Sequence, residues 1–257
     1  MTPSIMARNA KGQAVIAAVF WLVVWQLAAM AIHQTFLLAS PLQTLQTLQR
    51  LVVTAAFWQR ILFSTARILG GFLAALAVGT LLAACSAAIT PVRILLKPLM
   101  QMIKAIPVAS FIILVLLWVD SSGLAVLISF LMVLPVVYTA VLQGIQQVDG
   151  KLLEMVKVFR IPFFRAVGAV WIPQIWPYFV QSCTVGMGLA WKSGVAAEVI
   201  GLPTGSIGEA LYQAKIYLET GELFAWTAVI VLISTCLERL LLKLLHQVGK
   251  QWEKDSR

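Results

Sequence analysis

Apolar residues run along this chain in long unbroken blocks separated by short polar stretches, instead of recurring on one helical face or alternating. Six blocks stand out: Ala14 to Ile32, Ile68 to Ile89, Leu99 to Val119, Leu124 to Leu142, Val167 to Trp191 and Leu223 to Leu245. A helix rises about 1.5 Å per residue and needs about 20 residues to cross roughly 30 Å of hydrocarbon, so each block predicts one transmembrane helix. Strands apolar on both faces would not alternate as barrel strands do, which leaves helices. The pattern predicts an all-α integral membrane protein: one domain over residues 1–257 with six spans. Lys104, near the start of the third block, can snorkel towards water, and the last two turns of the sixth carry Glu238, Arg239 and Lys243.

Composition removes the soluble alternative. Of 257 residues, 61% are hydrophobic and 11% charged, and mean hydropathy is +0.93. A net charge of +9 would suggest nucleic acid in a soluble chain, but here the cations fall in short segments between apolar blocks and report topology instead. With the N-terminus inside, five of the 19 Lys and Arg lie outside: Arg50, Arg60, Arg67, Lys192 and Lys215. The inner segments hold the rest, from Arg8 and Lys11 through Arg93 and Lys97 to Arg257. That bias predicts both termini in the cytoplasm. Arg8 and Lys11 ahead of an apolar run also suit a signal peptide, although the run exceeds the usual core of about 7–15 residues, and cleavage would leave the other spans oriented as before.

The outer segment His33 to Arg67 repeats Leu42, Leu45, Leu48 and Leu51 among Gln and Thr, which predicts an amphipathic helix on the outer face. In the second block Gly71, Ala75, Gly79, Ala83 and Ala87 fall every fourth residue, so one helix face is small enough for a close neighbour, either within the chain or in a second copy. Pro107, Pro135, Pro173 and Pro177 sit in or at the ends of the third to fifth blocks, where each removes a backbone hydrogen bond and tends to bend its helix. Cys85, Cys183 and Cys236 lie inside apolar blocks and read as small buried hydrophobes.

Catalytic chemistry is sparse. His33 and His246 stand at opposite predicted sides, with no metal-ligand spacing, no paired carboxylates on one face and no phosphate-cradling loop. The sequence therefore predicts no catalytic residue, metal or cofactor in this chain, and ATP-driven work requires another polypeptide. The inner loop 149–165 is more informative. Leu152, Leu153, Val156 and Phe159 recur at helical spacing up to Pro162, with Lys151, Glu154, Lys157 and Arg160 on the polar remainder, a face that a groove on a soluble partner could accept.

This loop resembles the coupling loop of the membrane-spanning permease subunits of bacterial ABC importers, E-A-A-x3-G-x9-I-x-L-P. Glu154 takes the Glu place, Arg160 the Gly place, and Val170, Ile172 and Pro173 the Ile, Leu and Pro places, while Met155 and Val156 stand where the family has Ala. Three further stretches resemble the nitrate, taurine and sulfonate branch: Ser64-Thr65-Ala66-Arg67 entering the second block, Lys104-Ala105-Ile106-Pro107, and Ala190-Trp191-Lys192-Ser193-Gly194 running to Glu198 and Gly201. The resemblance implies a type I importer bundle in the bacterial cytoplasmic membrane. It implies a second permease copy or homologue, two cytoplasmic ATPases that carry ATP and Mg, and an extracytoplasmic substrate-binding protein. It implies further that residues Leu152 to Arg160 form a coupling helix, with the bend at Pro162 and Pro173 passing its motion to the fifth span, or else that this helix merely lies at the membrane surface.

Lys192 and Glu198 are about 240° apart on a continuous helix and cannot pair with each other. Charge at that depth marks either a translocation path, with Trp191 beside it, or an ordinary interfacial position. The turn-rich segment 201–208 and a short helix from Glu209 to Lys215 form a tight re-entry loop, or part of an outer gate or a surface for the binding protein. Two other classes compete with a permease: an integral-membrane enzyme acting on lipid, and a channel or scaffold. The resemblance favours a small anion as solute, an organic or inorganic acid.

Overall fold

The computed structural model describes the backbone of residues 3–32 and 37–255 and the side chains of most of 12–249; His33 and Arg257 lie outside the described residues, as do the side chains of Arg8 and Lys11. Every regular element described is helical. They are α1 (Pro3–Ile32), α2 (Pro41–Val52), α3 (Ala55–Ala88), α4 (Thr90–Ala105), α5 (Val108–Val115), α6 (Ser121–Gln146), α7 (Gly150–Val158), α8 (Phe163–Ala166), a π-helical turn at Val167–Trp171, α9 (Ile172–Gly201), α10 (Ile207–Ile216) and α11 (Thr220–Asp255). Three of them, α1, α3 and α6, are long and apolar enough to cross a membrane, and a fourth crossing follows if α4 and α5 count as one broken span. The stretch 99–119, expected as one helix, is two, bent by 105° at Ile106 and Pro107. Proline at 107 disfavours the helical region for Ile106, whose ψ is 127°, so the chain turns there.

The chain divides into two compact units. In the first, residues up to Gln59 gather with Ala210–Ile230. Here α2 starts on a capping box: Ser40 Oγ accepts from the Gln43 amide at 3.2 Å, and Gln43 Oε1 accepts from the Ser40 amide at 3.1 Å. Leu42 and Leu45 are exposed, whereas Leu48 and Leu51 of the same stripe are half-buried. Aromatic pairs hold this unit together, Trp25 with Phe224 at 5.5 Å and Phe57 with Trp226 at 5.0 Å between centroids.

The second unit holds Arg60–Glu209 with the chain from Val231 onward. Its centre is α6, where Leu124, Ala125, Ile128, Val133 and Val137 are fully buried. Close packing follows from small side chains. A Cβ added at Gly71 would run into the Val126 carbonyl and lie 3.0 Å from Ser129 Cβ, and one at Gly79 would lie 3.0 Å from Val137 Cβ. With Ala75 and Ala83 also fully buried, the small-residue face of α3 is spent on α6 within this chain, though Ala87 at its end is exposed. A second stripe on α9, Gly186, Ala190 and Gly194, meets Val133, Ser129 and Ile68; Ser129 Oγ donates to the Ala190 carbonyl at 3.1 Å.

Candidate functional site: an exposed helix anchored to a proline-containing helix

Asp149 opens α7 by accepting the Lys151 amide on Oδ1 at 2.9 Å. No residue of the helix is fully buried. At about 100° per residue, Leu152, Val156 and Leu153 share an arc of roughly 100°, and these three are half-buried against their own chain. The outward face is a different set from the expected one: Met155, Val158 and Phe159 are exposed, Val158 at 76%, and Phe163 and Phe164 extend the apolar surface past Pro162. Glu154, Lys157 and Arg160 are exposed around it. Of the expected apolar face, only Phe159 is free to meet a partner without rearrangement, because the other three leucine and valine side chains seat the helix.

The helix ends in a Schellman motif. The Ile161 amide donates to the Val156 carbonyl at 3.0 Å and the Arg160 amide to the Lys157 carbonyl at 3.2 Å, with Arg160 left-handed at φ 49°. The Gly of the resembled pattern therefore has a physical reason, since this position needs a positive φ that costs any side-chain-bearing residue. Pro162 follows and prevents the helix from continuing.

Two side-chain bonds fasten the start of α7 to α9. The Asp149 amide donates to Gln174 Oε1 at 2.9 Å, and the Tyr178 hydroxyl donates to Gln147 Oε1. Between α8 and α9 the helix widens: the Ile172 amide reaches back five residues to the Val167 carbonyl, just before Pro173, which has no amide to donate. Sequence reasoning found Pro162 and Pro173 but missed Gln147, Gln174 and Tyr178; the one available signal was a lone amide side chain, Gln174, inside the apolar fifth block.

At the other end of α9, Trp191 and Glu198 face the packed interior at 1% and 0% exposure, whereas Lys192 is exposed. Glu198 Oε2 accepts from Ser64 Oγ at 2.7 Å and from the Gly208 amide at 3.3 Å. Ser64 Oγ in turn accepts the Ile207 amide at 2.9 Å, and the Arg67 guanidinium lies 4.2 Å over the Phe63 ring. The first amides of α10 thus meet a carboxylate and a hydroxyl, a favourable use of a helix N-terminus. Gly208 sits so close to the Glu198 backbone that a Cβ there would overlap it. The stripe at Gly186, Ala190 and Gly194 continues four residues on to Glu198, and that spacing was the overlooked sign that its side chain turns inward.

Comparison with known proteins agrees with this arrangement. In sequence the chain is 24% identical over 230 residues to SsuC of Bacillus subtilis, a permease protein named for aliphatic sulfonate transport, covering 86% of this chain and 83% of that one. To the taurine transport system permease protein TauC of Escherichia coli it is also 24% identical, over 227 residues, with 86% and 82% covered. The fold resembles a crystal structure of an amino acid ABC transporter with histidines, at a TM-score of 0.54 and 18% identity, over 76% of this chain and 93% of that one. Residues 75–248 match the family model described as the inner-membrane component of binding-protein-dependent transport systems. That match takes in the broken helix, the exposed α7 and α9 together, and by it the chain belongs to this permease family.

Proposed function

We propose that α7 is the contact through which a cytoplasmic ATPase drives this permease, and that the outward residues Met155, Val158 and Phe159, with Glu154 and Phe163 beside them, form the docking face. The supporting observation is a nine-residue helix with no buried side chain whose first turn is tied to α9 by Asp149 and Gln174. A partner that pushes α7 loads α9 through that bond and through the chain at Pro162 and Pro173. Such loading lets the path alternate between two openings. In this reading two ATPases carry ATP and Mg, the second permease is another copy or a homologue, six spans cross the inner membrane, and both termini are cytoplasmic. The exposed Lys192 face of α9 lines the route, while Glu198 and Trp191 hold that helix in place. Kinship with permeases named for sulfonates and taurine favours a small organic or inorganic anion as solute, delivered by the binding protein.

The test co-expresses this chain with its partner ATPase. Met155→Asp combined with Phe159→Asp, or Glu154→Lys alone, abolishes its co-purification with the permease, whereas Val185→Asn, at an exposed position of α9, does not. Undiminished co-purification of the α7 variants rejects the docking role.

A further inference from the structure

A cavity of about 560 Å³ in the second unit has no part in the reading above. It lies between α4 and α6 and carries three cations, Arg93, Lys97 and Lys104, with Gln101, Thr139 and Gln146 among its polar walls and no carboxylate. Positions 93, 97 and 104 fall within about 40° of one another around α4, so the three cations form one stripe. Lys104 Nζ donates to Thr139 Oγ1 at 3.3 Å and keeps its charge, and the Tyr138 hydroxyl donates to Ser86 Oγ at 3.0 Å, so Arg93 and Lys97 are the two cations whose donors are most open to an occupant. The opposite face of α4 is apolar and exposed: Leu95 at 75% and Met102 at 63%, with Ile94 at the rim of the cavity.

We propose that this groove binds the phosphate headgroup of an anionic phospholipid, whose acyl chains run out over Ile94 and the apolar face of α4. Three like charges held together without a carboxylate repel one another, and an anion relieves that repulsion. A phosphate diester accepts hydrogen bonds from guanidinium and ammonium donors alike. The apolar rim separates a lipid from a free oxyanion, because a small soluble anion fills the charged floor and leaves Ile94 uncovered. Gln146, the last residue of α6, lines the groove, so it opens at the end of α6 that leads into α7. Given the orientation proposed above, that end meets the cytoplasmic leaflet, where basic pockets between helices hold anionic headgroups. Only this leaflet assignment rests on the proposed orientation.

The experiment titrates the full-length chain in detergent with short-chain phosphatidylglycerol and, separately, phosphatidylcholine, reading bound lipid by native mass spectrometry. Phosphatidylglycerol binds the tighter, and Arg93→Gln with Lys97→Gln weakens it about thirtyfold, the loss expected for two interfacial cations. The charge-preserving pair Arg93→Lys with Lys97→Arg retains binding and keeps the test decisive if the Gln pair folds poorly. Lys243→Gln, which removes an exposed cation elsewhere, leaves binding within twofold. Equal affinity for the two lipids, no effect of the Gln pair, or an equal loss in Lys243→Gln overturns the proposal. Displacement of the lipid by inorganic phosphate at comparable concentration also overturns it and marks the groove as a free-oxyanion site. None of these readings involves transport, so a failed docking helix and a failed lipid site are told apart.

Discussion

Replacing Arg160 by glycine should tighten the end of α7. Arg160 holds φ at 49° in an exposed position, and its amide and that of Ile161 close the helix on Lys157 and Val156. A residue with a Cβ gives up about 1–2 kcal/mol in this left-handed region. Glycine removes that strain but adds freedom to the open form, which returns roughly 0.4–1 kcal/mol. The balance is about 1 kcal/mol in favour of the closed end, or roughly fivefold in its opening equilibrium. Hydrogen exchange of the Ile161 amide, corrected for intrinsic rates, reads that equilibrium directly, because this amide exchanges only when its bond to Val156 opens. Arg160→Gly should slow it about fivefold. Arg160→Ala loses the charge but keeps the Cβ, and should give no comparable protection. If glycine gives none, or alanine protects as well, the strain argument for this position is wrong.

Gly70 and Gly71 provide a paired test of helix packing. Gly71→Ala forces a methyl against the Val126 carbonyl and should cost about 1–3 kcal/mol, while Gly70→Ala meets nothing within 4 Å and should be neutral or stabilising; thermal unfolding in detergent decides, and equal melting shifts would reject the α3–α6 contact. Gly79→Ala, whose added Cβ would lie 3.0 Å from Val137 Cβ instead of overlapping a carbonyl, should fall between them. Ser64→Ala strands the Ile207 amide and removes one donor from Glu198, for about 1–3 kcal/mol. Combined with Glu198→Ala it should cost clearly less than the two single changes added together, and strict additivity in the same unfolding assay would show that the two side chains do not act as one unit.

Much of this architecture is legible in the residues because membrane helices announce themselves by length and apolarity. The stripe from Gly71 to Ala83 and the turn at Asp149 need only local spacing. The direction of α7 is different. Its apolar residues nearly surround the helix, and only the tertiary seat of Leu152, Leu153 and Val156 decides that Met155 and Val158 face outward. The break at Ile106 was signalled by Pro107, but its 105° angle depends on how α5 packs at Ile112 and Val115 against Leu124, Ile128 and Ala197. Glu198 shows the opposite failing. Its charge suggested either a translocation path or an interfacial position, while the periodicity of the small residues preceding it places it inside. Hydrogen bonds between distant segments, such as Ser64 to Glu198, have no local signature at all.

The widened turn at Val167–Trp171 sets the rotational phase between α9 and everything that precedes it. Its hydrogen bond spans one residue more than an α-helical bond, so shortening this stretch by a single residue would swing α8 about 100° around the axis of α9. Apolar side chains that now look outward beyond Pro162 would then look elsewhere, with no change in their identity. Phase, as much as side-chain chemistry, therefore selects which surface this part of the chain turns outward, and a lone deletion here would alter it more deeply than most substitutions on the exposed helix itself.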